Sequence, residues 1–582
     1  MPIERRAALS RVQADGQALR SLPQELREDL EIVLTAVRSD GTALAYAAEF
    51  LRRDREVVLE AVQSNGLALS STSRELRRDR EVVRTAVRSH GLALHHACEQ
   101  LQADKEVGVV ALLLQLKRWR DLPRHVKWVP GLPFLGSLLQ VLRGLKTFTL
   151  LDTYVEWQEQ LGMTFAYTVP GKVVLCTVDP KNIEHMLKTN FDNYVKGHVF
   201  SDPFTDLLGK GIFNVDGELW YHQRKTSSKM FTKKQFETHI SKVVASNTAK
   251  VTALMEREEG TFDMFQLMNR FTLDTIGEIG FSKSIGSLED PSSPFLSAFD
   301  RSQQILITRF WTDPFWKILR LLGLGAEPEL KVHLRLLDEY ARGIVRELQE
   351  KVAQGEDNSF VGLFIKETWT SDKTSQETFM RDMVLNFLIA GRDTTAQCLS
   401  WTFFELTQHP EVARKIRDEV TQVCADGPVS YQDVGKLRYV QAVLDEGLRL
   451  HPSVPYDGKL AVNRDQMPDG TIVPAGCLVQ YVPYAQGRCR QIWGEDCCDF
   501  RPERWLEMTS KPSSFTFSAF NAGPRECLGR RLAEMEMAML LATVVRDFDL
   551  HLEAPASSIQ YDSQLTIGMR GLPLSAKQVR TK

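Results

Sequence analysis

Long apolar stretches are missing from this 582-residue sequence. A helix needs roughly 20 consecutive apolar residues to span a bilayer. The longest candidate runs only from Val107 to Leu116 and is followed by the basic residues Lys117 and Arg118. The first residues, MPIERRAALS, also lack the apolar core of a secretory signal. We therefore expect any membrane association to be peripheral.

An excess of charge of one sign is missing as well. Lys and Arg total 72, Asp and Glu total 75, and the net charge is −3, which argues against nucleic acid as a partner. Nine cysteines at irregular spacing in so long a chain argue against a secreted disulfide framework and favour reduced, intracellular thiols. Hydrophobic residues at 43% and charged residues at 25% are typical of a soluble globular protein.

What the sequence does contain is a 25-residue repeat near the N-terminus. The recurring positions are Gly16, Gly41, Gly66 and Gly91, and Asp29, Asp54, Asp79 and Asp104. Apolar pairs four residues apart follow the first three of these Asp residues, as on one face of a helix, so we predict that the Asp caps the helix and the Gly ends it. Each unit then predicts a helical hairpin, such as a short helix Leu67–Leu76 before a helix Arg80–Ser89. Four such units predict a small solenoid over residues 1–121.

The repeats bring no catalytic groups together, so two interpretations of them stay open: a docking surface for an unknown protein partner, and a passive appendage. Pro-rich residues 122–136 predict a linker. Residues 137–582 carry long helical patterns, with short strands predicted at Phe165–Val169, Lys172–Thr177 and Leu478–Val482. The sequence therefore predicts a mainly α fold with small β-sheets, preceded by the helical repeats.

The most specific motif, FNAGPRECLG, runs from Phe520 to Gly529 and precedes a long predicted helix that begins at Arg530. Cys527 thus lies on a loop at a helix N-terminus, where the helix dipole and backbone N–H groups stabilise a thiolate. Such a thiolate suits axial ligation of haem iron, and the guanidinium of Arg525 suits a haem propionate. The alternative is a buried, inert cysteine.

A second motif, AGRDTT, interrupts an otherwise apolar helix that is predicted from Met383 to about Leu406. An acid, Asp393, and an alcohol, Thr394, are costly in a buried helix unless they are used. A threonine in a helix can also bond back to the preceding turn. The alternative is therefore a Thr394 that is satisfied within its own helix.

Together these motifs make residues 128–580 resemble the cytochrome P-450 family of haem-thiolate monooxygenases. The resemblance implies the helix-rich cytochrome P-450 fold and, as cofactor, haem b whose iron is ligated by a cysteine thiolate. The matching positions for the cofactor are Cys527 as the axial iron ligand, Arg525, Phe520, Gly529, Trp220 and Arg224. Thr394 and Asp393 match the residues that deliver protons to bound dioxygen. Glu446, Arg449 and Arg504 match the family's structural Glu–Arg–Arg triad.

Several phrases are similar to those of plant- and protist-type fatty-acid ω-hydroxylases, from Phe387 to Thr395 and from Leu450 to Pro455. This likeness implies O2-dependent hydroxylation of a fatty acid or related lipid, at or near the ω end, with NADPH electrons supplied through a flavoprotein reductase or a ferredoxin. Ala390 stands where some relatives carry a Glu that esterifies the haem, so we expect no ester link. Two alternatives are a peroxide-rearranging haem-thiolate enzyme, which the Asp-Thr pair argues against, and a haem-bearing sensor or scaffold that works through the repeats.

A third feature concerns the membrane. The segment from Ile305 to Leu324 interleaves Trp, Phe and Leu with Arg309, Lys317 and Arg320, which is typical of an element that lies in a membrane interface. An ordinary amphipathic core helix is the alternative. The family resemblance favours a peripheral position on the endoplasmic reticulum membrane.

Overall fold

The computed structural model describes residues 2–89, 93, 96–102, 126–132, 136–169, 172–292, 294–312, 315–355, 359–366, 373–425, 427–563 and 565–579. The apolar stretch from Val107 to Leu116, the repeat positions Gly91 and Asp104, and residues 122–125 and 133–135 of the predicted linker lie outside these residues. The chain divides into two compact units. The first comprises Met1–Val126, Gly171–Val174 and Leu460–Leu478, and the second comprises Lys127–Pro170, Leu175–Lys459 and Val479–Lys582.

In the first unit, α-helices alternate with tighter 3₁₀ turns. The longer helices are α1 Pro2–Ala14, α2 Leu30–Ser39, α3 Arg55–Ser64 and α4 Arg80–Ser89, with short helices at Gln24–Arg27 and Glu99–Gln102. The 3₁₀ turns are Gly16–Ser21, Gly41–Tyr46, Leu51–Arg53, Gly66–Ser71 and Leu76–Arg78. The predicted caps are confirmed: Asp54, for example, accepts hydrogen bonds from the N–H groups of Glu56 at 2.9 Å and Val57 at 3.0 Å. Buried Val, Ile and Ala side chains of α2, α3 and α4 form the core of the array.

The predicted first helix of the hairpin that spans residues 67–89 is wrong. The segment expected as a helix from Leu67 to Leu76 forms two 3₁₀ turns instead. Two hydroxyl groups compete with the helical pattern there, since Ser70 donates to the carbonyl oxygen of Leu67 at 2.8 Å and Thr72 donates to that of Leu69 at 2.9 Å.

The repeated glycines follow the ends of the helices as predicted, since Gly41 comes directly after the cap residue Asp40. Gly16, Gly41 and Gly66 are not left-handed, however. A Cβ atom at Gly16 would lie 2.5 Å from the carbonyl oxygen of Ala36 in the next repeat, and one at Gly41 would overlap the carbonyl oxygen of Ala61. Glycine recurs every 25 residues because adjacent repeats pack backbone against backbone at this point.

The second unit is helix-rich, as predicted. Its helices of eight residues or more are α5 Leu138–Thr147, α6 Leu150–Leu161, α7 Gly197–Leu208, α8 Gly217–Ser228, α9 Ser241–Arg257, α10 Met264–Phe281, α11 Pro294–Trp311, α12 Phe315–Leu322, α13 Glu327–Gln354, α14 Lys373–Gln408, α15 Pro410–Cys424, α16 Arg438–Leu450 and α17 Arg530–Asp547. Shorter helices are Pro180–Glu184, Lys233–Gln235, Phe360–Lys366, Tyr431–Val434, Pro483–Gly487, Arg490–Trp493 and Glu503–Glu507. The central helix α14 is buried over most of its length and extends beyond the segment that its apolar pattern predicted.

Short strands complete the fold. They are β1 Lys127–Trp128, β2 Thr164–Val169, β3 Lys172–Thr177, β4 Tyr194–Val195, β5 Phe262–Asp263, β6 Asp457–Ala461, β7 Asp465–Gln466, β8 Ile472–Val473, β9 Leu478–Tyr481, β10 Phe548–Leu552, β11 Tyr561–Ser563, β12 Ile567–Met569 and β13 Pro573–Gln578. The largest sheet has the order β1-β2-β3-β9-β6-β4, with Lys127 opposite Phe165 in the parallel β1–β2 pair. A second sheet has the order β10-β13-β5, and β11 pairs with β12 and β7 with β8. The three strands predicted from sequence are confirmed to within one residue at each end.

None of the helices in the described part of the chain is long and apolar enough to cross a membrane.

Candidate functional site

The loop that carries Cys527 forms a tight turn before α17. The Cys527 N–H donates to the carbonyl oxygen of Phe520 at 2.8 Å. Gly523 has a φ of 63°, a backbone conformation that favours glycine, and a Cβ atom there would overlap the carbonyl oxygen of Leu187. The position of Cys527 therefore depends on this glycine and on the close approach of two backbone segments.

The thiol of Cys527 combines exposure with a desolvating environment. Its side chain is exposed, yet surrounding protein raises the pKa of the thiol above its ordinary value. The thiol is therefore accessible although protein atoms crowd around it. The N–H of Gly529 and the charge of Arg224 act in the opposite direction, so the predicted thiolate stabilisation is present but burial outweighs it. A cation bound to the sulfur would hold the thiolate form.

Helix α8 lies against this loop and holds it through Arg224 and Arg525. The Nη1 of Arg224 donates to the carbonyl oxygen of Glu526 at 2.7 Å. The guanidinium of Arg525 is paired with Asp216, just before α8, at 2.6 Å and lies 4.5 Å from the ring centroid of Trp220. The structure thus brings Trp220, Arg224 and Arg525 together beside Cys527. The Nε of Arg525 is buried without a hydrogen-bond partner, which leaves one donor for a bound anion.

Sequence analysis missed a buried cluster around Asp457. Asp457 accepts hydrogen bonds from the Nζ atoms of Lys196 and Lys459, both at 2.7 Å. The Tyr481 hydroxyl lies 2.9 Å from Asp457 Oδ2 and 3.0 Å from the Oδ1 of Asn521, on the Cys527 loop. A signal for part of this cluster exists in the sequence, because alternate residues of a strand share one face and Asp457 and Lys459 alternate on β6.

This cluster carries more positive than negative charge. Together with the pair Arg525–Asp216 it holds three cations against two carboxylates. Burial lowers the pKa of Lys459 to about 7, and the neighbouring cations lower it further, although Asp457 opposes the shift. Surplus buried cations require an anionic partner. These residues therefore fit a ligand with carboxylate groups, as the propionates of haem are.

Asp393 and Thr394 are adjacent on α14 but bond to different partners. Asp393 is buried; its Oδ2 accepts from the Nε2 of Gln303 and its Oδ1 from the Nη1 of Arg392, both at 2.8 Å. Burial raises the pKa of Asp393 to about 6, against the opposing charge of Arg392. The half-buried Thr394 donates its hydroxyl to the carbonyl oxygen of Ala390 at 2.8 Å. Thr394 thus makes the hydrogen bond within its own helix that the alternative named, and its role in proton delivery stays a prediction.

Glu446, Arg449 and Arg504 form one buried ion network. The Nε of Arg449 lies 2.8 Å from Glu446 Oε2, and the Nε of Arg504 lies 3.0 Å from Glu446 Oε1. Burial alone would raise the pKa of Glu446, but the hydrogen bond and charge of Arg449 bring it below its ordinary value. Arg449 also donates to the carbonyl oxygens of Gly487 and, at 2.5 Å, of Cys497. The triad thus ties α16 to the segment that leads into the Cys527 loop.

An accessible but desolvated thiol on a loop before a helix, with surplus cations beside it, fits a haem-thiolate protein. Comparison with known proteins then shows to which family of haem-thiolate proteins the chain belongs. The family model described as "Cytochrome P450" matches residues 127–575, which is more than half of the chain. The chain therefore belongs to the cytochrome P450 family. It is an oxidoreductase of the monooxygenase type, with haem held by a cysteine thiolate and electrons supplied from NADPH by a redox partner.

Relatives of known sequence support this membership. The chain is 35% identical over 469 residues to cytochrome P450 704C1 of Pinus taeda, covering 75% of this chain and 90% of the relative. It is 33% identical over 506 residues to cytochrome P450 704B1 of Arabidopsis thaliana (78% and 95%) and 35% identical over 456 residues to cytochrome P450 94A2 of Vicia sativa (73% and 87%). Residues 7–52 and 54–102 match a separate family described as a domain of unknown function, DUF4116.

Proposed function

We propose that this monooxygenase inserts one atom of O2 into a C–H bond of a fatty acid or related lipid, at or near the ω end. The observation that carries the chemistry is the accessible, desolvated thiol of Cys527 beside surplus buried cations. The likeness of the phrases around Phe387–Thr395 and Leu450–Pro455 to those of fatty-acid ω-hydroxylases supports the substrate class. A flavoprotein reductase or a ferredoxin supplies the electrons.

Cys527 is the axial ligand in this proposal, because its exposed thiol lies on the glycine-containing loop directly before α17. The free Nε of Arg525 and the buried ammonium groups of Lys196 and Lys459 hold the propionates, together with Trp220 and Arg224. Haem, when bound, supplies oxygen activation and C–H oxidation. The chain supplies the thiolate, the propionate partners and an environment that excludes water.

Asp393 and Thr394 move protons towards the reacting centre in this proposal. A carboxyl whose pKa is about 6 exchanges protons near neutral pH, as a general acid must. A haem-thiolate enzyme that rearranges peroxides has no need of such a pair, and this favours the monooxygenase.

The experiment that tests the ligand compares reduced, carbon-monoxide-bound absorption spectra. Cys527→Ser should lose the thiolate-type band, whereas Cys424→Ser, a half-buried cysteine elsewhere in the fold, should retain it. Retention of the band in Cys527→Ser would refute the assignment. A fatty-acid binding titration and product analysis with a reductase then test the substrate, and turnover of lipid peroxides without reductant would favour the alternative enzyme.

The proton role is tested with Thr394→Ala. We expect this variant to keep its haem but to release more peroxide and less hydroxylated product per reductant consumed. Unchanged coupling would leave Thr394 with only the helical hydrogen bond to Ala390.

Helix α12 is the proposed contact with a membrane surface. Ile318, Leu321 and Leu322 expose 54%, 85% and 61% of their area, and Lys317 and Arg320 lie on the same helix. Exposed leucines flanked by basic residues insert into the headgroup region of a bilayer. Other residues of the predicted segment, such as Ile307 and Trp311, are core, so only α12 carries this proposal.

Vesicle flotation tests it. Replacing Leu321 and Leu322 by Ser should reduce binding to phosphatidylserine-containing vesicles, whereas Leu506→Ser, at another exposed leucine, should not. Equal loss in both variants would overturn the contact. In the cell, the proposal places the enzyme peripherally on the endoplasmic reticulum membrane.

For the repeats we propose a docking surface for a protein partner, with the division into residues 1–121, a linker 122–136 and a haem domain 137–582. The repeats match a family separate from the haem domain, which supports separate roles. Truncations at residues 95 and 121 should retain haem binding and lipid hydroxylation in detergent. If both bind haem yet fail to turn over lipid, the repeats belong to the catalytic unit.

A further inference from the structure

Helix α11 reaches α14 through two side chains that lie near Asp393. Gln303 donates to Asp393 Oδ2 at 2.8 Å, and Asp300, one turn earlier, accepts from Arg392 at 2.6 Å and 3.2 Å. Arg392 in turn donates to Asp393 Oδ1 at 2.8 Å. Both oxygens of the Asp393 carboxylate are therefore held by an arrangement that depends on α11.

The amide of Gln303 is committed to this arrangement. Its Oε1 is buried without a hydrogen-bond partner, so its polar contact is the bond from Nε2 to Asp393. A buried oxygen without a hydrogen-bond partner destabilises the folded state, and the Gln303 amide keeps this position in spite of that. Asp300 has a different position: 36% of its side chain is exposed, whereas the side chains of Arg392 and Asp393 are 3% exposed. Asp300 thus connects the buried pair to solvent.

We propose that Asp300 and Gln303 form a latch by which α11 holds Arg392 and Asp393 and controls when the carboxyl can serve Thr394. The inference rests on the proposed proton role of Asp393. In the latched state both Asp393 oxygens are engaged and the Thr394 hydroxyl is bonded to Ala390. When α11 moves, the carboxylate is freed to take up a proton from solvent on the Asp300 side and to pass it towards the Thr394 hydroxyl. Asp300 and Gln303 are positioning residues in this scheme.

The two latch residues shift the pKa of Asp393 in opposite directions. The charge of Asp300 raises the pKa of Asp393, while the hydrogen bond from Gln303 lowers it, as does the charge of Arg392. Two further contacts in the described part of the chain add no charge: the Thr272 hydroxyl of α10 donates to the Arg392 carbonyl oxygen at 2.9 Å, and the Arg392 guanidinium lies 5.6 Å from the ring centroid of Phe299. Removal of Gln303 should therefore raise the pKa of Asp393, and removal of Asp300 should lower it.

The test is the pH profile of coupling, measured as product formed per reductant consumed with the haem-loaded enzyme and a reductase. An acid that donates protons acts while it is protonated, so coupling falls as the pH rises through its pKa. Gln303→Leu should move that fall to higher pH and Asp300→Asn to lower pH, each by about one unit. Asp300→Glu keeps the charge and should restore the profile.

A second readout does not depend on turnover. Gln303→Leu and Asp300→Asn should increase hydrogen–deuterium exchange of α11 several-fold, since they remove its bonds to α14. Arg301→Gln is the matched control, because Arg301 forms an exposed ion pair from α11 to Glu329 at 2.7 Å and does not touch Asp393. It should leave the pH profile unchanged.

Opposite shifts of the profile support the latch. Shifts of the same sign, or profiles equal to that of Arg301→Gln, overturn it even if Asp393→Asn uncouples the enzyme, in which case the proposed proton role stands. Unchanged coupling in Asp393→Asn overturns the proton role itself, and the latch with it.

Discussion

Glu446→Gln is the substitution whose effect the structure defines most sharply. Glu446 is fully buried and accepts five hydrogen bonds: two from Arg449, and one each from the side chain of Arg504, the indole of Trp505 and the backbone N–H of Arg501. Glutamine has the same shape but no charge, and its NH2 group would face donors at one of the two oxygen positions. Two arginines would then be left buried without their counter-ion.

The cost follows from the chemistry of buried ion pairs. Breaking one by removing a single partner costs about 3–5 kcal/mol, because the remaining charge is not compensated. Arg449 keeps its bonds to backbone carbonyl oxygens, which places the expected loss of the free energy of unfolding within that range rather than above it. Because Arg449 also holds the segment before the Cys527 loop, we expect low haem content as well.

The assay is denaturant unfolding followed by the haem absorption band, which reports on the second unit alone, together with the ratio of haem to protein after purification. Glu347→Gln is the matched control, since Glu347 forms an exposed ion pair with Lys283 at 2.6 Å. Exposed pairs contribute roughly 0–1 kcal/mol, so this variant should unfold almost as the parent does.

The reasoning would be refuted if Glu446→Gln carried normal haem and lost no more stability than Glu347→Gln. That result would mean that the network contributes little to the loop, and that the buried arginines are satisfied by backbone carbonyl oxygens alone.

Other predictions concern the core of the haem unit and the repeats. Burial raises the pKa of Glu536 well above its ordinary 4.5, so the folded state retains a proton that the unfolded state loses. The free energy of unfolding should therefore fall as the pH rises above about 4.5. In unfolding experiments from pH 4 to 9, Glu536→Gln should abolish this decrease. Gly41→Ala should unfold the array at lower temperature by circular dichroism, because its Cβ would overlap the Ala61 carbonyl oxygen, whereas substitution of exposed Gln63 by Ala should not. Asp54→Ala removes a helix cap and should cost about 1 kcal/mol in the same assay, with Asp54→Asn restoring most of it.

Local pattern was enough to predict much of the fold. The 25-residue period predicted the array, and the apolar spacing and capping Asp residues predicted its α-helices, because both are properties of a single helical turn. The 3₁₀ turns and the reason for the repeated glycines were not predictable in this way. They depend on how one repeat packs on the next, as the approach of Gly16 to Ala36 shows.

The candidate site, too, was predictable from short motifs in part, and in part depends on contacts between distant segments. The sequence by itself determined which residues are proposed for the chemistry, because Cys527, Arg525, Asp393 and Thr394 lie in motifs a few residues long. Only the tertiary structure decided their surroundings: burial outweighs the helix N-terminus at Cys527, and α11 engages Asp393. Lys196 and Asp457 are 261 residues apart in the chain and 2.7 Å apart in space. Charge balance and desolvation arise from contacts between distant segments, and no local pattern in the sequence records them.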